Sequence, residues 1–260
     1  MNVPASQARR ELSTLPFDPE LTPGARNAVN VCLSIQPREK VTVITDDATR
    51  EIAASLVREV EGVGAPYQAW ILEELAPRPL IDLPQPIVDD LESSQVSIFA
   101  VQAQANELRS RMQMTDVVNR RKIRHAHMVN INHQIMLEGM RADFLKVDRI
   151  STKVVETVRR AKQVRARTAA GTDLTADLNP QYRWLKTSGI ISPDKWGNLP
   201  GGEVFTTPGQ VNGTFVIDGV VGDWLCPKFG TLRETTLTIQ VHGTLPTKPP
   251  PTTPAPQSRN

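Results

Sequence analysis

The sequence lacks most of the patterns that would assign a function directly. It has only two cysteines, Cys32 and Cys226, far apart and without a CxxC spacing, which excludes a disulfide framework and a zinc-knuckle pattern. Two buried thiols in a reducing compartment are the simplest interpretation. Its 30 basic and 28 acidic side chains leave a formal net charge of +2, so there is no clustered positive charge to indicate a nucleic-acid partner.

Long apolar runs and the usual cofactor motifs are missing as well. No run approaches the roughly 18 apolar residues of a spanning helix, and the N-terminus lacks the apolar segment of a secretory signal. We therefore expect no membrane partner and a cytoplasmic location. No GxGxxG follows the first predicted strand, and no GxxxxGK[ST] or GxSxG occurs. These absences argue against dinucleotide, P-loop and serine-hydrolase functions.

Short apolar runs alternate with helical segments through the first 160 residues. Strands are predicted at 40–45, 67–72, 95–101 and 125–131, with helices between them. Strand–helix–strand order favours parallel pairing through right-handed crossovers. Asp46 and Asp47 follow the first strand, where a helix cap and a ligand site are both open interpretations. The predicted N-terminal domain, 1–163, is a doubly wound, mostly parallel α/β sheet.

The pattern changes to β-hairpins after a helix predicted to start at a Ser151 cap and to end near Gln163. Residues 164–168 and 174–178 flank a turn at 170–172, residues 203–207 and 214–218 look like a second strand pair, and 236–241 alternates cleanly. We predict an incomplete antiparallel, β-rich α+β domain over 164–245. Its aromatic residues are expected to form its core and pocket walls: Trp184, Trp196, Phe205 and Trp224.

The last segment is unlike the rest of the chain. A strand at 236–241 requires a partner, and Gly243 is where a hairpin would turn. A proline- and threonine-rich run follows instead, so 246–260 is predicted to be a disordered tail foreign to the fold, from a truncated or frame-shifted coding sequence. The edge of the strand at 236–241 is then expected to stay unpaired and to promote self-association.

The most informative segment is Trp196–Pro208, with the sequence WGNLPGGEVFTTP. Pro200, Gly201 and Gly202 predict a sharp bend whose backbone comes close to a neighbouring group. Glu203 lies where the following strand begins. An acid fixed at such a bend is a candidate metal ligand or catalytic base. The alternative is an ordinary β-turn followed by an exposed glutamate.

A histidine cluster is the other candidate site. His125 and His127 lie two apart in a predicted strand and would share one face, so they could converge on an ion, with His133 opening the next helix. The neighbouring asparagines and glutamine favour a polar loop instead. The sequence leaves the role of these histidines open.

The order of several motifs resembles the thermophilic metalloaminopeptidase family, the aminopeptidase T type. The resemblance rests on GTDLT at 171–175, RW at 183–184, NLPGGEVFTTP at 198–208 and VNGTFVIDG at 211–219. It runs with gaps from about residue 26 to 243. It implies an N-terminal α/β domain and a catalytic domain holding two divalent ions (Zn, Co, Mg and Mn are not distinguished), with Glu203 as the first metal ligand.

The resemblance implies an aminopeptidase that removes N-terminal residues from peptides with a free amine, acting as a possible homodimer. The family's remaining ligands would lie beyond the point where this chain turns into its proline-rich segment. The chain is therefore expected to be a truncated or impaired member, and whether it is active as an enzyme is left open.

Two other functions remain open from the sequence. 2,5-dihydroxypyridine 5,6-dioxygenase resembles the same family, so the chain could be a relative that acts as a mononuclear iron, ring-cleaving dioxygenase. A non-enzymatic binding module without metal is the third interpretation. Metal content separates the third from the first two, and release of amino acids from unblocked peptides separates the peptidase from the dioxygenase.

Overall fold

The computed structural model of this protein describes residues 3–193, 196–222, 225, 228, 230–232, 237–243 and 245–246. The chain divides into two units: residues 1–152 with 186–203, and residues 153–185 with 204–260. Within the described part, no helix has both the length and the apolar character that a membrane-spanning segment requires. The domain boundaries predicted at 163 and 245 remain predictions.

The first unit is built on a five-stranded parallel sheet with the order β2-β1-β3-β4-β8. The strands are β1 (Val41–Thr45), β2 (Tyr67–Ile71), β3 (Val96–Val101), β4 (Arg124–Val129) and β8 (Gly197–Asn198). The helices are α1 (Val3–Thr14), α2 (Thr22–Arg26), α3 (Arg50–Val63), α4 (Gln85–Glu92), α5 (Leu108–Arg121), α6 (His133–Leu137) and α7 (Phe144–Val158), the last crossing the division at 152.

Apolar side chains on the two faces of this sheet belong to two separate cores. In β1, Val41 and Val43 join the core that contains α1, α2 and α3, whereas Ile44 joins the core that contains α4 and α5. Every residue of β1 and β3 is buried, as expected for strands covered by helices on both faces. The predicted fold class, a doubly wound parallel α/β sheet followed by an antiparallel β-rich part, is confirmed.

Asp46, at the carboxyl end of β1, is a capping residue. Its Oδ1 accepts hydrogen bonds from the backbone N–H and the hydroxyl of Thr49 at 3.0 and 2.7 Å. This forms a capping box before the 3-10 turn Asp47–Thr49 that leads into α3. Of the two interpretations of Asp46, the helix cap is therefore confirmed.

A buried ionic network covers the same edge of the sheet. Arg78, whose side chain is 4% exposed, donates to Asp46 Oδ2 at 2.6 Å and to both carboxylate oxygens of Glu107. The Glu107 carboxylate also accepts from the backbone N–H groups of Leu80 and Gln104. Every carboxylate oxygen in the network has a donor, so the network stabilises the fold and leaves no acceptor for a ligand.

The second unit contains an antiparallel sheet with the order β12-β11-β10-β6-β5. Its strands are β5 (Gln163–Arg167), β6 (Asp173–Leu178), β10 (Pro208–Ile217), β11 (Leu237–His242) and β12 (Leu245–Pro246). The β5–β6 hairpin predicted around 170–172 is confirmed. A separate two-stranded sheet pairs β7 (Leu185–Thr187) with β9 (Glu203–Phe205).

Three predictions about the elements after residue 150 are wrong. Ser151 is buried inside α7, which already begins at Phe144, so it caps no helix. Residues 203–207 do not pair with 214–218, because β9 pairs with β7 while β10 pairs with β6 and β11. The strand β11 also has a partner on its other side, since Val241 is opposite Pro246 in β12.

The rest of the predicted tail, 247–260, lies outside the described residues, and so does Cys226. Cys32 is buried and free, as predicted, and burial raises the pKa of its thiol to about 12.

Candidate functional site

A cavity of about 350 Å³ lies in the first unit, beside β8 at the edge of the parallel sheet. Its lining residues come from three stretches of chain: Asp148, residues 186–192, and Trp196 with Gly197. A volume of this size lies within the range of small-molecule sites in proteins. The Trp196–Pro208 segment singled out in the sequence therefore contributes one wall of a cavity.

Asp148, on α7, is the acidic group of the cavity. Its Oδ1 accepts from the Lys186 ammonium at 2.6 Å and from the Ser188 hydroxyl. The hydrogen bond from Lys186, followed by that from Ser188, lowers the pKa of the Asp148 carboxyl, so it is ionised at neutral pH. No described residue donates a hydrogen bond to its second oxygen, Oδ2. The cavity thus holds an anionic acceptor next to two donors.

Gly189 shapes the floor of this cavity. Its φ is +83°, and a Cβ built there would lie 2.4 Å from Cδ1 of Phe144. Only glycine avoids both the left-handed backbone strain and the clash with the ring. The buried Phe144 therefore supports the backbone that carries Ser188 into the cavity wall.

The bend before Glu203 packs closely against neighbouring backbone, as its glycines predict. A Cβ on Gly201 would lie 2.7 Å from the Asn198 carbonyl oxygen and 3.0 Å from the Gly189 backbone nitrogen. The bend is therefore pressed against the 186–192 segment, and this prediction from the sequence is confirmed.

Glu203 itself is exposed at the start of β9. Its Oε1 accepts a hydrogen bond from the hydroxyl of Thr187 at 3.0 Å, and Thr187 lines the cavity while Glu203 does not. Glu203 therefore contacts a residue of the cavity wall but does not itself line the cavity. Its assignment as a metal ligand stays a prediction.

The histidine pair of β4 lies behind the cavity wall. His125 is fully buried, with Nδ1 at 2.8 Å from the Ser97 hydroxyl and Nε2 at 3.1 Å from Nδ1 of His127. Burial lowers the pKa of both imidazoles, that of His127 to about 4 with a further contribution from the nearby charge of Arg111. Both rings are therefore neutral at pH 7.

His133 does not join this pair. It lies on the surface, where its Nε2 is 3.0 Å from a carboxylate oxygen of Glu51. The three histidines considered together in the sequence thus occupy two different places. His125 engages Ser97 with one ring nitrogen and His127 with the other.

Trp196 connects the histidine pair to the cavity. Its ring centroid lies 5.2 Å from that of His127 and 6.4 Å from that of His125, the latter in an edge-on arrangement. Trp196, expected from the sequence in the core or pocket walls of the second domain, lies in the first unit and packs on His127 of β4. Trp224 lies outside the described residues.

The depressed pKa of His127 predicts a pH-dependent stability. The unfolded histidine, with an ordinary pKa near 6.5, takes up a proton as pH falls, whereas the folded one resists until about pH 4. Stability is therefore fully present above about 6.5 and is lost as pH falls towards 4, by up to about 1.4 kcal/mol per pH unit per histidine.

The measurement is urea unfolding of the wild type and of His127→Gln between pH 4.5 and 6.5. The variant should show a flatter dependence of unfolding free energy on pH than the wild type. Equal slopes for the two proteins would show that His127 is not held neutral.

A metal centre is not formed by the described residues. Among them, no group of three or more His, Cys, Asp or Glu side chains could hold an ion. Glu203 has a threonine beside it, and the imidazoles of His125 and His127 bond to each other. The described residues therefore do not by themselves complete a metal site.

Comparison with known proteins identifies the family. The model of the family NicX, 2,5-dihydroxypyridine 5,6-dioxygenase, matches residues 21–246, most of the chain, so this protein belongs to that family. Wild-type AmpT from Thermus thermophilus has a similar structure, with a TM-score of 0.55 and 14% sequence identity. The similarity covers 76% of this chain and 64% of AmpT, and at this identity it shows the fold alone. A search of curated proteins gave no significant match.

These findings correct the functional expectation drawn from the sequence. The aminopeptidase, hydrolase and proteolysis assignments are wrong, because the family model that matches is that of a dioxygenase. The resemblance to aminopeptidase T is retained at the level of fold. Both families are metal-dependent, so a metal cofactor agrees with the assignment, while the number and kind of ions stay predictions. Peptide substrates and a homodimer also stay predictions.

Proposed function

We propose that this protein is a ring-cleaving dioxygenase that acts on a hydroxylated pyridine of the 2,5-dihydroxypyridine class. The observation that carries the proposal is the match of the dioxygenase family model over residues 21–246. The cavity of about 350 Å³ supports it, because one aromatic wall and a few polar groups suit a single small ring. A cytoplasmic location agrees with such an activity and is part of the proposal.

The reaction that the family name denotes is balanced without a reductant. The bond between C5 and C6 of the ring breaks, O₂ is reduced, and both of its oxygen atoms stay in the ring-opened product. In this scheme the residues of this chain bind the ring, fix its orientation against Trp196 and limit the access of water.

Iron is the metal expected for such a dioxygenase, and the described residues do not supply its full ligand set. We keep Glu203 as one proposed ligand, because it stands at a rigid bend one hydrogen bond from the cavity wall.

The activity is tested with the full chain incubated anaerobically with Fe(II). Addition of 2,5-dihydroxypyridine in air-saturated buffer should consume one O₂ per ring, measured with an oxygen electrode and by loss of the ring absorbance. Iron without protein and protein without iron control for autoxidation. Ring loss no faster than with iron alone would contradict the proposed function.

Replacing Glu203 by glutamine tests its proposed role. Loss of the carboxylate charge should weaken Fe(II) binding at least about 100-fold, since even second-shell changes weaken metal binding by roughly 10–100-fold. Because Glu203 is exposed, the fold should persist. Glu156→Gln, an exposed glutamate on α7, is the matched control. Metal titration that gives the same affinity for both variants would remove Glu203 from the ligand set.

A further inference from the structure

The antiparallel sheet of the second unit has one apolar face and one polar face. Residues that are paired across antiparallel strands lie on the same face, and successive residues of a strand alternate between faces. The registers of β5, β6, β10 and β11 therefore place a set of apolar side chains together: Val164, Leu174, Ala176, Val211, Phe215 and Ile239. No charged residue of β5, β6 or β10 falls on this face.

The charged side chains of the same strands lie on the opposite face. Arg165 and Arg167 of β5 both pair with Asp173 of β6, at 2.9 and 3.4 Å. Gln163 donates to Asp177 on that face as well. The alternation of apolar and polar residues is typical of an antiparallel sheet that is covered by a second layer on one side only.

The apolar face has no such layer among the described residues. Every residue of β5 is exposed, and no residue of β6 or β10 is buried. Val164 and Phe215 are 42% and 41% exposed, respectively. Both hydrophobic cores of the described part are built from residues of the first unit. A sheet must bury its apolar face against another element, so this face requires a partner.

We propose that a second copy of this chain covers the apolar face, sheet against sheet, around a two-fold axis. The two sheets then form a sandwich of the aligned kind, with the apolar side chains of both copies between them. A two-fold contact uses the same surface on both copies and closes after two chains. This inference is independent of the proposed dioxygenase function.

The distribution of charge favours a second copy over an acidic or basic partner. Nothing on the apolar face would select a charged surface, whereas another copy presents a face of the same size and the same apolar character. Arg165, Arg167 and Asp173 stay on the outer, solvated faces of the sandwich. No like charges are brought together between the sheets, and strongly apolar contacts are characteristic of homodimers.

The size of the face is sufficient for a modest dimer. β6 and β11 each have six residues. Four strands about 4.8 Å apart and six residues long give a flat projection of roughly 20 by 20 Å per copy. Two such faces bury about 800 Å² of projected area, and the relief of the side chains raises the accessible area towards the roughly 1,200 Å² at the lower end of specific interfaces. The dimer is therefore expected to dissociate on dilution.

Light scattering of the full chain after size-exclusion chromatography tests the proposal. The mass should approach that of two chains at high micromolar concentration and fall towards that of one chain on dilution. A single chain at every concentration would show that the face is not covered by a second copy. A mass that grows beyond two chains would show that the contact does not close around a two-fold axis.

Phe215→Lys tests whether the apolar face forms the contact. The variant should weaken the dimer at least about 100-fold, because each copy would bury a lysine without a partner and like charges would approach each other. A variant that dimerises as well as the wild type would place the contact on another surface. Circular dichroism and thermal melting show whether the fold is intact.

Two neighbouring residues of β5 provide a matched pair of variants. Val164→Lys and Gln163→Lys add the same charge to the same exposed strand, the first on the apolar face and the second on the polar face. Because both sites are exposed, this comparison holds even if Phe215→Lys does not fold. Val164→Lys should weaken the dimer at least tenfold, whereas Gln163→Lys should dimerise as the wild type does. Equal effects of the two variants would overturn the proposal.

Discussion

Replacing Arg78 by methionine is expected to lower the free energy of unfolding by about 3–5 kcal/mol, the range for breaking a buried ion pair by removal of one partner. Arg78, Asp46 and Glu107 are each at most 4% exposed in their side chains. Methionine fills a similar volume but leaves two carboxylates buried without their counter-charge. One of them is Asp46, which also forms the capping box before α3. Urea unfolding at pH 7 measures the effect.

A second ion pair in the same unit provides the control. Arg109 and Asp82 are joined at 2.9 Å, but their side chains are 68% and 55% exposed. Arg109→Met should therefore cost less than about 1 kcal/mol, because water screens exposed pairs. If Arg78→Met is no more costly than Arg109→Met, the network at the end of the sheet does not stabilise the fold as described.

Replacing Gly189 by alanine is expected to lower the free energy of unfolding by about 2–5 kcal/mol, from left-handed backbone strain and overpacking together. The new Cβ would lie 2.4 Å from the ring of Phe144, which is itself buried and cannot move aside without disturbing the core. The cavity wall that carries Ser188 would shift with it. Urea unfolding measures the effect on stability.

Gly62→Ala is the matched control for this substitution. Gly62 lies within α3, and nothing is found within 4 Å of a Cβ built there. Alanine at a helical position of this kind should stabilise the fold by about 0.5–1 kcal/mol. A decrease in the free energy of unfolding for Gly189→Ala and an increase for Gly62→Ala would support the packing of Gly189 against Phe144. A Gly189→Ala protein as stable as the wild type would show that the backbone there is not held against Phe144.

The parallel sheet could be predicted from the sequence because its strands are strong local signals. The run at 41–45 is entirely β-branched, an aspartate cap follows it, and α3 ends before Gly64, which has a left-handed conformation. Each signal lies within a few residues of the element it defines. The strand β8 has only Gly197 and Asn198, so its place beside β4 depends on tertiary pairing that no local pattern contains.

The cavity could be predicted only in part, for a similar reason. The bend at 200–202 and its need for a close approach are visible in the sequence, because proline and glycine at a strand start are informative. Asp148 lies on a helix rich in other polar residues, and Lys186 is one of many lysines. Only the folded chain shows that they meet at 2.6 Å. The Ser188–Gly189 pair is the one local signal that could have indicated a turn there.

The reaction could not be read from the motifs that reveal the fold. The segments at 171–175 and 198–219 favoured the aminopeptidase T type, and the solved AmpT structure shares that fold with 14% identity. The match to the dioxygenase family over residues 21–246 changes the chemistry without changing the fold. Among the described residues, no group of three or more His, Cys, Asp or Glu side chains could hold an ion, so they do not distinguish the two reactions.

The most direct test of the ring-cleaving assignment is the fate of the oxygen atoms. The iron-loaded protein is supplied with 2,5-dihydroxypyridine under ¹⁸O₂, and the ring-opened product is examined by mass spectrometry. The proposed function predicts a product that carries two labelled oxygen atoms from one O₂ molecule. A product with one labelled atom or none, or an intact ring, would contradict it.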